Sequence, residues 1–128
     1  MNDPASDTSL RETTSASPSR GRVVKALFVR LTAKPGKGDE VDAFLRGGLD
    51  AVMEEQDTTT WYAIRFGRED FAIFDTFPGN AGRLSHLAGK VGRALVARTP
   101  ELFAGVPEIE HAQVLAYKLL SEGGQISE

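Results

Sequence analysis

A phenol and a carboxylate facing each other across a β-hairpin would make a proton-transfer pair, and the stretch from 58 to 77 offers one. Thr58–Phe66 and Phe71–Phe77 are strand-like runs flanking Gly67-Arg68-Glu69-Asp70, a hairpin signal. Pairing Phe66 with Phe71 sets Ile64 opposite Ile73 and Tyr62 opposite Asp75 on one face. Trp61 with Thr76, Ala63 with Phe74 and Arg65 with Ala72 then fall on the other, and a slip of one residue exchanges these assignments. In this register Asp75 is the candidate base, its pKa raised by burial, and Tyr62 is its partner; catalysis aside, the two would satisfy one another's hydrogen bonds. Trp61 offers a plane for an aromatic ligand or a core contact, and Arg65 offers a cation for a substrate anion or a surface ion pair.

The two histidines read differently. His111 alternates with Ile109, Gln113, Leu115 and Tyr117 on one side of a last strand, from which His111 and Tyr117 could reach a pocket. His86 falls opposite an apolar helical stripe, beside Lys90 and Arg93, which assigns it to the solvent face. Ser85 next to it is no catalytic partner, because adjacent helical side chains diverge. Glu108 and Glu110 lie on the opposite strand face from His111, so no metal site is expected. Gly36-Lys37-Gly38 and Gly89-Lys90-Val91-Gly92 fall short of a phosphate loop.

Four strands and two helices must position these groups. Val23–Ala33 is apolar on both faces, as in a strand covered on both sides. Lys34-Pro35-Gly36-Lys37-Gly38 is a turn, and Asp39 is placed to cap a helix reaching Gln56. Gly47 and Gly48 sit inside that helix, where each costs about 1 kcal/mol against Ala, so close backbone packing is expected there. Asn80 is placed to cap a second helix to about Arg98, with the stripe Leu84, Leu87, Ala88, Val91 and Leu95. Thr99-Pro100 starts a short further turn, and Ile109–Leu119 closes the sheet. The order is βαββαβ: an α+β, ferredoxin-like domain with a four-stranded antiparallel sheet. Two helices cover one face of such a sheet, yet apolar residues occur on both, and a second copy packed sheet to sheet would bury the rest. A homodimer is therefore expected.

The 128 residues, 41% of them hydrophobic, suit one such domain spanning 23–120, with disordered tails at 1–22 and 121–128. A net charge of -3 with interspersed signs provides no basic stripe for nucleic acid and no polybasic membrane patch. No cysteine is present, which removes thiolate chemistry and fits a cytoplasmic protein.

The segment Val24–Lys118 resembles the antibiotic biosynthesis monooxygenase family of dimeric α+β barrels. The resemblance rests on Ala33-Lys34-Pro35-Gly36-Lys37 leading into Val41-Asp42-Ala43-Phe44-Leu45, on Trp61–Phe66, on Phe71–Phe77, on Gly82–Leu87 and on Val114–Lys118. It implies the fold, a dimer and a cavity between sheet and helices. It also implies metal-free and flavin-free oxygenation of an aromatic or polyketide-like substrate, or haem degradation in another branch. The haem branch implies an asparagine on the first strand and a tryptophan near the end of the third, and this sequence has neither. The polyphenol oxygenases use an asparagine with Trp, Tyr and Arg; asparagine stands only at 2 and 80, which leaves Trp61, Tyr62 and Arg65 as counterparts. A dimeric ligand-binding barrel without chemistry is the alternative, and ionisable groups of shifted pKa in the pocket would favour the enzyme.

Overall fold

The computed structural model describes residues 22–120, so the expected tails, Arg22 aside, lie outside the described residues. Among these, β1 (Lys25–Thr32), β2 (Thr60–Arg65), β3 (Asp70–Phe77) and β4 (Glu108–Gln113) form one antiparallel sheet in the order β2-β3-β1-β4. The helices are α1 (Gly38–Gly47), α2 (Leu49–Met53), α3 (Asn80–Leu87) and α4 (Lys90–Leu102). This is the expected α+β ferredoxin-like arrangement.

Period-two alternation sorts each strand into two faces. Leu27, Val29 and Leu31 of β1 and Phe71, Ile73 and Phe77 of β3 join Val41, Leu45, Val52, Val91, Leu95 and Leu102 of the helices in one buried core. Phe28, Phe74, Ile64 and Tyr62 lie on the other face, outside that core and partly or fully exposed. Apolar residues therefore do occupy both faces, with the helix layer on one.

Both long helices of the sequence reading are broken at glycines. Gly48 separates α1 from α2, and its hypothetical Cβ would lie 3.5 Å from Val91 Cγ2, whereas Gly47 faces open space. Gly89 separates α3 from α4, and a Cβ on Gly92 would approach the Leu87 carbonyl oxygen to 2.3 Å. Asp39 and Asn80 lie just inside their helices rather than capping them, and Lys37 and Gly79 hold the cap positions. The expected turn at Thr99-Pro100 is the last turn of α4. Strand β4 ends at Gln113; Val114 donates one more hydrogen bond to the Val24 carbonyl at 2.8 Å, and Leu115, Tyr117 and Leu120 extend into solvent.

Gly92→Ala is expected to lower the unfolding free energy by about 1–3 kcal/mol through the forced shift of α4 against Leu87. Gly47→Ala is expected to leave it unchanged or raise it by up to about 1 kcal/mol. Urea denaturation of the two variants beside the parent chain checks both.

Candidate functional site

The hairpin register differs by one residue from the sequence expectation. Phe66 is not paired with Phe71; Arg65 is, and the shift carries through to put Trp61, not Tyr62, opposite Asp75. Phe66 instead donates its backbone N–H to the Asp70 carbonyl at 2.7 Å, which closes the turn one residue further along. Tyr62 consequently points to the opposite face, 52% exposed, with its ring 6.5 Å from that of Phe74. The expected Tyr62–Asp75 pair is not formed.

Alternation along β3 puts Asp75 on the helix-facing side with Phe71, Ile73 and Phe77, 1% exposed. A carboxylate there requires a cation, and His86 supplies it. Nε2 of His86 lies 2.8 Å from Asp75 Oδ2, and Nδ1 lies 2.6 Å from Glu55 Oε1. The Asp75 contact is close but out of line with the ring N–H, so neither carboxylate oxygen has an aligned hydrogen bond among the described residues. Glu55 also accepts from the Thr58 hydroxyl at 2.6 Å, and the imidazole rests on Phe77 with ring centroids 5.3 Å apart.

Sequence reasoning assigned His86 to solvent; it is 7% exposed, while Leu84 of the supposed buried stripe is 65% exposed. The stripe assumed one continuous helix. Helix α3 instead ends at Leu87 and turns Gly82 and His86, four residues apart, inward. Gly82 permits this, because a Cβ there would lie 2.9 Å from both Cβ and carbonyl oxygen of Asp57. Its pressing against the loop after α2 brings His86 beside Glu55 of that loop. The signal available in the sequence was Gly82 itself, one turn before the histidine.

Asp75 and His86 are the polar side chains of a cavity of about 150 Å³ between the sheet and helices α3 and α4. The remaining wall is aliphatic, including Leu27, Val29, Ile73, Val91 and Leu95, and exposed Val96, Val106 and Ile109 surround its rim. On the outer side of α3 lies a second, polar pocket lined by Glu54, Glu55, Asp57, Thr58 and Ser85. His86 lines both.

The electrostatics follow from burial and neighbours. Burial pushes the Asp75 carboxyl above the usual carboxylate range; His86 opposes this, and the Glu55 charge adds to it. Burial opposes the charge on His86, but Asp75 and Glu55 outweigh it and hold the imidazole above its ordinary value.

The other expected site residues are not gathered here. Trp61 is part-buried against the core, its indole N–H buried without an acceptor among the described residues. Arg65 lies four β3 pairs from Asp75, roughly 13 Å along the strand. It pairs with Asp42 at 3.0 Å and Asp39 at 3.3 Å, donates to the Gly67 and Arg68 carbonyls and lies over Phe71. The open groove of about 720 Å³ around it contains no buried titratable group. His111 shares the cross-strand row Trp61–Asp75–Leu27–His111 but is exposed on β4, with Leu27 between it and the carboxylate. Tyr117 lies past the end of β4, half exposed. Among the described residues no group of His, Cys, Asp and Glu could hold a metal ion, and no helix is long and apolar enough to cross a membrane.

No protein-family model matches the sequence, and no curated protein matches it either. Among solved structures, NE2512 of Nitrosomonas europaea, a protein of unknown function, is 41% identical; the match has a TM-score of 0.76 and covers 77% of this chain and 96% of that one. The chain belongs to the family of that protein. Its fold is that of the antibiotic biosynthesis monooxygenase-like proteins, as the sequence resemblance implied. A candidate monooxygenase of this kind from Chloroflexus aurantiacus matches with a TM-score of 0.61 at 13% identity, over 77% of this chain and 99% of its own. Another, from Caulobacter crescentus, matches with a TM-score of 0.64 at 14% identity, over 73% and 92%.

A group whose folded pKa is raised contributes stability at low pH that is lost as pH climbs through the folded value. His86 and Asp75 both have this sign, so stability is expected to fall with rising pH, the Asp75 part from about 3.9 upward and the His86 part from about 6.5 upward. His86→Gln is expected to flatten that slope, and to destabilise the protein by about 3–5 kcal/mol where the wild-type imidazole is charged. Denaturant midpoints of both proteins from pH 5.5 to 9 check it.

Proposed function

We propose that the protein is a cofactor-independent oxygenase of an electron-rich, single-ring phenol, working as a homodimer. The observation that carries this reading is the buried Asp75 carboxylate, facing an aliphatic cavity without an aligned donor among the described residues. A buried acceptor left this way calls for a partner, and a ligand hydroxyl entering the cavity would provide one. A cavity of about 150 Å³ suits one aromatic ring rather than a fused polyketide, since an apolar void of that size accepts benzene.

The chemistry asked of the protein is limited. Asp75, its basicity raised by burial, takes the phenolic proton. The electron-rich phenolate passes one electron to dioxygen, and the resulting radical pair combines to form a carbon–oxygen bond at a ring C–H position. The hydroperoxide then loses water, which leaves a ring carbonyl. One dioxygen is consumed, one oxygen atom enters the ring and the other leaves as water. His86, held between Asp75 and Glu55, keeps its Nε2–H on the cavity side, where the anion forms. Two ionisable groups of shifted pKa in the cavity favour this enzyme over a purely ligand-binding barrel.

The exposed face carrying Phe28, Phe74, Ile64 and Tyr62 is the surface on which a second copy would pack, since an apolar sheet face of this kind favours association. The extended Val114–Leu120 segment, with Leu115 and Leu120 in solvent, adds apolar surface beyond it.

Oxygen-electrode assays with methoxyhydroquinone are expected to give turnover, with a tricyclic anthrone excluded. Asp75→Asn should reduce kcat/KM by about 10²–10⁴, and equal rates for the variant and the parent chain would refute the assignment. Sedimentation velocity is expected to show a dimer that Ile64→Asp converts to monomer; a monomeric parent chain at micromolar concentration would exclude the assembly.

A further inference from the structure

His86 is the wall between two compartments. One nitrogen faces the buried carboxylate of the cavity and the other a carboxylate of the outer, solvent-facing pocket, at 2.8 and 2.6 Å. A histidine needed only to neutralise Asp75 would not require a second acid on its far side, nor an opening to water there. The outer acid is fixed: Glu55 is held by the Thr58 hydroxyl, and its side chain is 21% exposed. Gly82, against Asp57, and Gly89, where a Cβ would come within 3.1 Å of Glu55 Oε2, keep that side of α3 narrow enough for the contact.

We infer that Asp75, His86 and Glu55 form a proton conduit through the helix layer, with Glu55 the positioning residue that opens it to solvent. The inference rests on the reading of the cavity as a site for an ionisable ring. When a ring hydroxyl gives its proton to Asp75, the imidazolium gives its Nδ1 proton to Glu55, which passes it to water in the outer pocket. One proton enters at the cavity end and one leaves at the other, so the total charge of the cluster is unchanged. The phenolate's negative charge is then the one charge added to the chamber, and the matching proton stands in the water of the outer pocket. The same steps run backward when the hydroperoxide needs a proton to leave as water, so no ring flip is required.

Carboxylates from two elements adjoin the imidazole. Asp75 comes from β3 and Glu55 from the loop after α2; Glu54 and Asp57 line the outer pocket, and Lys90 at the start of α4 lies 3.8 Å from Glu54. Glu55 is the carboxylate among them in contact with Nδ1.

The test uses the full chain with ¹⁵N-labelled histidine, comparing wild type, Glu55→Gln and Glu55→Asp. Glu55→Gln keeps the shape and the Thr58 contact but cannot take a proton. Exchange of the His86 ring protons with water, read by NMR, is expected to slow by about 10²-fold in Glu55→Gln and to recover in Glu55→Asp. With 4-nitrophenol as the probe, wild type should bind it as the phenolate, with proton release to an indicator dye. Glu55→Gln should bind it with similar affinity but as the neutral phenol. Wild-type exchange in a folded Glu55→Gln variant overturns the conduit. Failure of 4-nitrophenol to bind wild type overturns the phenol-site reading, and the exchange rates still decide the conduit.

Discussion

Ionic pairing of one buried carboxylate shapes the packing on the α3 side of the fold. Asp75 sits on β3 among Leu27, Ile73 and Phe77, where an isolated carboxylate would be strongly disfavoured. Its counter-charge must come from the helix layer, and α3 can deliver it only by lying unusually close to the loop after α2. Two sequence features follow from that requirement: glycine at 82, where any side chain would strike Asp57, and the break at Gly89 that lets α3 and α4 take separate rotations. The aliphatic cavity between sheet and helices lies where α3 and α4 part. Packing and chemistry here have the same origin.

Much of the fold is legible in the sequence because hydrophobic period and turn chemistry agree. The strand β1, the hairpin, the helical stripes of α1 and α4 and the βαββαβ order all follow from local pattern. Two local decisions are not legible, and both bear on the site. The hairpin register turns on whether Phe66 is the last strand residue or part of the turn; alternation is almost equally good either way, since Trp61–Phe66 has large residues on both faces. That single residue decides whether Tyr62 or Trp61 meets Asp75.

The second is the orientation of His86. A helical wheel drawn from Asn80 to Arg98 through Gly89 averages two helices that do not share a phase, and Leu84 then weighs against the histidine. Asp75 was legible as a buried acid because it lies in an apolar run, although its supposed partner was not the real one. Glu55 left no signal: it belongs to a loop, and only tertiary packing brings it to the imidazole. Tyr117 was drawn in by alternation continued past Gln113, where β4 ends, and His111 by alternation within β4, a strand exposed along its whole length.

The rim of exposed aliphatic side chains at Val96, Val106 and Ile109 governs the order of events for any molecule entering. It sheds its hydration shell at the threshold, well before it meets the carboxylate at the floor. An anion would have to give up its water at that threshold, a cost that an uncharged molecule is spared. Admission would thus be sorted by the tenacity of bound water as well as by outline.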